Sequence, residues 1–133
     1  MAGYSGTPLV DKLGVRPGHR LALLGAPANL DMDLRLPDDV TVIRRLSGHC
    51  DVVVFFTTQR RELERRIDGI GQAIAPNGAG WIAWPKKTAK VATDMTDHVV
   101  REVALPRGLV DTKVCAIDDT WTGLKLVWRK ELR

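Results

Sequence analysis

The chain has 133 residues, of which 44% are hydrophobic and 27% are charged. A chain of this length and composition fits one domain with a buried core, so we predict a single domain over residues 1–133. Twenty Lys and Arg against 16 Asp and Glu give a net charge of +4. This mild excess permits an anionic ligand or nucleic acid as a partner but does not require either one.

The termini and the cysteines argue against several classes of protein. No apolar stretch approaches the length of a membrane span, and the first six residues lack the apolar core of a secretory signal. We therefore expect a cytoplasmic protein with no membrane partner. Cys50 and Cys115 each lie beside apolar residues, and no Cys-x-x-Cys pair occurs. This pattern favours reduced, buried thiols over a disulfide framework or a zinc site, and we predict no metal.

The N-terminal part predicts a short helix followed by a buried strand. In residues 7–14, Thr7 can cap a helix, Pro8 suits its first position and Gly14 suits its end. Residues 20–25 are nearly all apolar, which is typical of a strand buried on both faces.

The next segment is less regular. Leu30, Leu34 and Leu36 favour two helical turns before Pro37, and residues 40–43 form a β-rich run. Only residues 46–50 separate that run from the apolar strand at 51–56, whereas a parallel crossover needs about a dozen residues. We therefore predict that the 40–43 run is an antiparallel edge strand or an irregular extended segment.

The second half predicts two helices, a strand and a terminal hairpin. Thr58 is the predicted N-cap of a helix whose apolar stripe recurs at helical spacing, at Leu63, Ile67, Ile70 and Ile74. Residues 80–84 predict another strand. Residues 94–106 predict a second helix capped by Asp94, and residues 112–118 and 124–130 predict the two strands of a hairpin.

This order of elements predicts a three-layer, Rossmann-like α/β fold. Its sheet would be mostly parallel, with about five to six strands and a C-terminal antiparallel hairpin. The order, together with residues 13–25, 51–56, 75–78 and 81–84, resembles the class I methyltransferase-type Rossmann domain, in a reduced form.

The resemblance implies a first strand that carries an acidic residue and opens a glycine-rich loop, and a second strand that ends in an acidic residue holding ribose hydroxyls. This sequence has Leu23 at the first acidic position, Ala26-Pro27-Ala28-Asn29 after Gly25, and Arg44-Arg45 at the second strand. These differences argue against S-adenosylmethionine, and the sequence identifies no other cofactor.

A second resemblance covers nearly the whole chain. The segments Tyr4–Leu9, Leu24–Pro27, Ala83–Lys87, Asp97–Pro106 and Val110–Lys125 resemble a family of small bacterial proteins called domain of unknown function 3052. That resemblance implies no particular activity.

Candidate ligand-binding residues are those that follow the strands, because ligands of parallel α/β sheets bind beyond the carboxyl ends of the strands. They are Gly25, Ala26, Pro27, Thr58, Trp84, Lys86, Lys87, Thr88, Asp118 and Trp121. The sequence does not identify a catalytic residue among them.

Each candidate also has a purely structural interpretation. The segment Trp84–Lys87 is either an anion clamp with an aromatic platform, or a core indole followed by a solvated loop. Asp118 is better explained by the hydrogen bonding of a hairpin turn, and Thr58 by helix capping. Trp121 is either tucked over the core or offered to a partner.

Three functions remain open at this stage. The leading interpretation is a non-catalytic binding or regulatory module on a degenerate methyltransferase-like fold. The second is an enzyme that uses a nucleotide-type cofactor at the carboxyl edge of the sheet, and the third is a nucleic-acid-associated protein. An anionic small molecule and a second copy of the chain are the partners considered.

Overall fold

The structure, a computed structural model, describes residues 8–28, 30 and 34–133. Within these residues one sheet of six strands has the order β2-β1-β3-β4-β6-β5. The strands are β1 (Arg20–Leu24), β2 (Thr41–Ile43), β3 (Val52–Phe56), β4 (Ala79–Pro85), β5 (Leu109–Ala116) and β6 (Trp121–Trp128). The helices are α1 (Leu9–Leu13), α2 (Arg60–Ile74) and α3 (Asp97–Ala104), and 3₁₀ turns occupy Lys87–Ala89, Leu105–Arg107 and Lys130–Leu132.

The first four strands are parallel and β6 is antiparallel to both of its neighbours. This confirms the predicted Rossmann-like α/β fold with a terminal antiparallel hairpin. Because β6 is antiparallel to both β4 and β5, β5 runs parallel to β4. The β5–β6 turn therefore lies at the carboxyl edge of the parallel strands. None of the described helices is long and apolar enough to cross a membrane.

The core has two parts, one on each face of the sheet. Val53 and Phe55 of β3 pack with α2 and α3, whereas Val52, Val54 and Phe56 pack towards α1. All of β3 and β4 is therefore buried, as expected of parallel strands covered on both faces. Trp81 is fully buried on the α1 side, and its indole Nε1 donates to the Leu13 carbonyl oxygen at 3.1 Å.

The predicted pattern of α2 is confirmed. Leu63, Ile67, Ile70 and Ile74 are all buried against the sheet. The charged residues between them face solvent, where Arg60 pairs with Glu64 one turn later at 3.4 Å. This alternation of apolar and charged positions makes α2 the main cover of its face of the sheet.

The predicted direction of the 40–43 run was wrong. β2 is an edge strand, but it pairs parallel with β1 rather than antiparallel. β2 has only three residues, about 10 Å of chain. The link 44–51 can span about 26 Å, enough to return along so short a strand and pass β1 without a helix. Its Leu46 side chain packs on the α2 side of the core.

The N-terminal predictions are settled in part. Gly14 ends α1 in the left-handed conformation, as predicted, while Pro8 occupies the cap position instead of the first helical position. Thr7 and part of the helical turns predicted before Pro37 lie outside the described residues. Leu30 and Leu34 are buried, and the Leu34 amide donates to the Leu30 carbonyl oxygen at 3.1 Å.

The cysteines are free thiols in different surroundings. Cys50 is fully buried, and burial raises its pKa above the ordinary value. Cys115 is half-buried, and burial raises its pKa as well. Burial thus keeps both thiols protonated and weakly reactive.

Substitution of two glycines of α2 by alanine tests the packing of this helix. A Cβ at Gly69 would meet only Leu46 Cδ1, at 3.6 Å, whereas a Cβ at Gly71 would lie 3.0 Å from Trp128 Cζ2. The Trp128 indole also donates to the Gly71 carbonyl oxygen at 2.9 Å. Gly69→Ala should raise the free energy of unfolding by about 0.5–1 kcal/mol through helix propensity.

Gly71→Ala should instead lower the free energy of unfolding by about 1 kcal/mol, because overpacking against the Trp128 indole outweighs the same gain in helix propensity. Urea denaturation followed by circular dichroism measures both values, and each variant is the control for the other. Equal shifts in one direction would contradict the packing described here.

Candidate functional site at the carboxyl edge of the sheet

Four chain segments meet at the carboxyl edge of the parallel strands. The amide of Thr57, just after β3, donates to the Ala83 carbonyl at 3.0 Å, and the amide of Lys86, just after β4, donates to the Thr120 carbonyl at 2.8 Å. The loop after β1 lies directly against the end of β3. The topology therefore joins the ends of β1, β3 and β4 to the β5–β6 turn, as the candidate residues require.

Gly25 is required by the shape of this edge. Its φ is +69°, and an added Cβ would stand 3.0 Å from the carbonyl oxygen of Phe56. Ala26 packs partly buried on the α1 side, and Pro27 is half-buried. The chain thus has a close backbone approach after β1, but the following residues are not glycine. The exposed residues after β2 are Arg44 and Arg45 instead of a carboxylate.

The start of α2 corrects the predicted N-cap. The Thr58 hydroxyl does not cap the helix; Gln59 occupies the cap position, and its amide donates to the buried Thr57 hydroxyl at 3.1 Å. The first helical amide, that of Arg60, donates to the Asp94 carboxylate at 2.7 Å. A carboxylate from a distant segment therefore accepts a hydrogen bond from the first amide of the helix. Its negative charge also interacts favourably with the positive end of the helix dipole.

The predicted cap of α3 was also wrong. Asp94 caps α2, and α3 begins at Asp97 with Thr96 as its N-cap, the hydroxyl of which accepts from the Val99 amide at 3.1 Å. The Thr93 hydroxyl donates to the Thr58 carbonyl at 2.7 Å, which ties the same segment down a second time. Residues 91–96 consequently form a strap fixed across the start of α2.

The strap and the end of β4 form the walls of a cavity that is open to solvent on one side. The cavity volume is about 350 Å³, and its walls are Trp84, Pro85, Lys86, Lys87, Val91, Thr93, Met95, Thr96 and Asp97. Trp84 is only 7% exposed and Met95 only 3%, so an indole and a thioether form the apolar interior. Lys86 is half-buried and Lys87 exposed.

The charges around the cavity are unequal. Within the described residues neither Lys86 nor Lys87 forms an ion pair, so both ammonium groups are available to an anion. Asp97 is paired with Arg101 at 2.9 Å. The hydrogen bond from that guanidinium, with one from the His98 amide, lowers the pKa of the Asp97 carboxyl. Asp97 is therefore an ionised residue of the cavity wall whose charge is balanced by Arg101, and its carboxylate is a weak base.

The remaining candidate residues lie outside this cavity. An Asp118 carboxylate oxygen accepts from the amides of Thr120 and Trp121 at 2.9 and 2.8 Å, which is the turn role. The Trp121 ring stands edge-on to Phe56 with centroids 5.2 Å apart, tucked over the α1-side core and half-buried. Thr88 is exposed in the 3₁₀ turn. The structure thus brings the candidates to one edge but only Trp84, Lys86 and Lys87 into one cavity.

The sequence patterns missed the strap. Thr93, Met95 and Thr96 are three of the nine residues that form the cavity wall, but no periodicity or motif marks them. One available signal was the length of the connection between β4 and α3, since long loops at the carboxyl edge of a sheet often carry binding residues.

The chain matches no protein-family model and no curated protein sequence. It does resemble solved structures of methyltransferases. An O-methyltransferase of neocarzinostatin biosynthesis, in complex with S-adenosylmethionine, has a TM-score of 0.63 and 11% identity, and covers 96% of this chain and 51% of its own. The magnesium protoporphyrin IX methyltransferase of Synechocystis PCC 6803, with bound S-adenosylmethionine, has a TM-score of 0.56, 12% identity and coverages of 91% and 74%.

Aeropyrum pernix fibrillarin, with natively bound S-adenosyl-L-methionine, has a TM-score of 0.58 and 12% identity, over 94% of this chain and 70% of its own. The chain has a methyltransferase-like Rossmann fold. Identities this low establish the fold alone. Membership of the domain of unknown function 3052 family and a bacterial origin stay predictions. All three of these structures hold S-adenosylmethionine, the ligand that the sequence-based argument disfavours for this chain.

The strap generates a stability prediction. Asp94→Ala removes the acceptor of the Arg60 amide and should lower the free energy of unfolding by about 1 kcal/mol. Asp94→Asn keeps an oxygen acceptor and should lose only the charge contribution, about 0.3–1 kcal/mol. Asp119→Ala, in the exposed hairpin turn, is the control and should change the value by less than about 0.5 kcal/mol. If Asp94→Ala matched that control in urea denaturation, the strap would not be held by this contact.

Proposed function

We propose that the chain is a ligand-binding module whose ligand is a small anionic molecule with an apolar part. The ligand would lie in the cavity between the end of β4 and the strap. The observation that carries the proposal is the pairing of two unneutralised lysines, Lys86 and Lys87, with the apolar interior formed by Trp84 and Met95.

The size and chemistry of the cavity support binding. A volume of about 350 Å³ lies at the lower end of the range, roughly 300–1,000 Å³, of small-molecule pockets. Lysine ammonium groups suit phosphate or carboxylate as compact charges, and the Thr96 hydroxyl can still donate while it accepts from the Val99 amide. An indole wall suits a flat or apolar ligand group.

The same groups favour binding over acid–base catalysis. The carboxylate in the wall, Asp97, has its pKa lowered and its charge neutralised by Arg101, so it is poorly suited to proton transfer near neutral pH. The Thr93 hydroxyl is already committed, as it donates to the Thr58 carbonyl and accepts from the Met95 amide. The lining thus consists of groups that hold and orient a ligand.

Removal of the two lysines tests the proposal. Binding of AMP, which joins an aromatic base to a phosphate, and of ribose 5-phosphate, which has the phosphate without the base, would be measured by isothermal titration calorimetry. Both the native chain and the double variant Lys86→Ala/Lys87→Ala would be titrated. The variant should bind at least about tenfold more weakly, because charge-assisted hydrogen bonds are lost.

The control for that experiment is Arg61→Ala/Arg65→Ala on the solvent face of α2, which removes the same charge elsewhere. It should leave the affinity unchanged. Equal losses in both double variants would indicate a general charge effect, and no binding of either probe to the native chain would count against the proposal.

S-adenosylmethionine is the second candidate ligand, and the fold shared with the three methyltransferases favours it. The residues fit it in part. Gly25 keeps the backbone close to the end of β3, where a side chain would collide with Phe56. The position after β2, however, presents Arg44 and Arg45, which cannot accept hydrogen bonds from ribose hydroxyls.

Thermal shift with S-adenosylmethionine and S-adenosylhomocysteine separates the two candidates. If this cofactor is the ligand, it should raise the Tm of the native chain, and Gly25→Val should abolish the rise while Lys86→Ala/Lys87→Ala should not. If neither compound raises the Tm at millimolar concentration, the anionic ligand of the cavity stands alone.

A further inference from the structure

A row of three residues crosses the sheet on the α1 side. Trp81 of β4 pairs with Lys125 of β6, and Lys125 pairs with Lys113 of β5. Cross-strand partners point to the same face of a sheet, so the two lysines stand side by side next to the buried indole. The Lys113 Nζ lies 6.0 Å from the centroid of the Trp81 ring, which agrees with this placement.

This pairing of like charges is unfavourable for the free protein. Like charges directly opposite one another destabilise a sheet. Burial lowers the pKa of Lys125, and the neighbouring charge of Lys113 lowers it further. Within the described part of the chain no carboxylate pairs with either lysine. A third lysine, Lys12 of α1, adds its charge to that of Lys113 at the half-buried Cys115.

A β-bulge produces the pairing. Asp111 of β5 is opposite Leu126, but two residues later Lys113 is opposite Lys125, so Thr112 is the extra residue on the edge strand. In a regular ladder Thr112 would face Lys125, and Lys113 would point to the other face with Asp111. Asp111 does point that way, where it binds Arg101 of α3 at 3.0 Å.

Bulges often redirect a side chain next to a binding site. A bulge also discourages edge-to-edge pairing of sheets, but that role needs no lysine opposite Lys125. The structure therefore contains a local irregularity whose specific result is two adjacent ammonium groups with no carboxylate partner among the described residues, one of which, that of Lys113, lies over the Trp81 ring.

We propose that Lys113 and Lys125 form an anion site on the α1-side face of the hairpin that binds a phosphate dianion. The site is separate from the cavity at the carboxyl edge. A dianion would neutralise both lysines of the pair at once, whereas a single carboxylate would leave one charge uncompensated. The chemical class is thus inorganic phosphate or a phosphate monoester.

The first test locates the site in the native chain. Inorganic phosphate would be titrated into ¹⁵N-labelled protein in phosphate-free buffer, and amide shifts would be followed by nuclear magnetic resonance. The largest changes are expected at residues 112–116 and 123–127. Changes confined to residues 84–97, or none at millimolar phosphate, would overturn the proposal without touching the site at the end of β4.

The second test uses matched variants. Lys113→Gln and Lys125→Gln should each weaken phosphate binding by about tenfold, as expected for loss of one charge-assisted contact. Arg65→Gln, which removes one charge from the opposite face of the sheet, should leave the affinity unchanged. Without phosphate, the Tm of Lys125→Gln should be equal to or higher than that of the native chain, because the repulsion is relieved.

Two results would contradict the proposal. If Lys125→Gln lowered the Tm and left phosphate affinity intact, the lysine would have a packing role only. If a single-stranded oligonucleotide bound this face while inorganic phosphate did not, the surface would be a nucleic-acid contact and not a phosphate site. The native titration decides the matter even where a variant fails to fold.

Discussion

The burial of β3 and β4 on both faces is the constraint on which the rest of the molecule depends. Two strands with no solvent-facing side need a cover on each face of the sheet. α2 and α3 supply one cover. Among the described residues, the other cover includes the five-residue α1 together with Leu30 and Leu34. The large Trp81 ring lies on this side, and its hydrogen bond to the Leu13 carbonyl fixes α1 in place. The lysines discussed above accordingly lie at the edge of the sheet and on the hairpin.

Elements whose buried faces are indicated by the pattern of their own apolar residues could be predicted from the sequence. The apolar run at 51–56 implies a strand covered on both faces, and the stripe from Leu63 to Ile74 implies a helix covered on one face. Both predictions were confirmed. The turn role of Asp118 was equally local, since its partners lie two and three residues away. The same logic placed the ends of β1, β3 and β4 together, because parallel strands share a carboxyl edge.

Contacts between distant segments could not be predicted this way. Thr58, Asp94 and Thr96 are all good cap residues, and only their positions in space decide which one caps which helix. Asp94 reaches the Arg60 amide, a partner 34 positions away, while Thr96 takes the role predicted for Asp94. The predicted direction of β2 was wrong for a related reason. The minimum crossover length assumes strands of ordinary length, whereas β2 has only three residues. The bulge at Thr112 likewise leaves no periodic mark in the sequence.

The two cationic features of this chain differ in what their presence implies. Lys86 and Lys87 stand at a loop end where water reaches them, so their charge is tolerated whether or not an anion ever arrives. Lys113 is exposed on the edge strand β5, directly opposite the half-buried Lys125 of β6, and the pKa of Lys125 is lowered. A neutral residue at position 125 would relieve that repulsion without disturbing the ladder, whereas one at position 113 would also lose the contact with the Trp81 ring. Like charges directly opposite one another repel, and an anion bound between Lys113 and Lys125 would remove that repulsion.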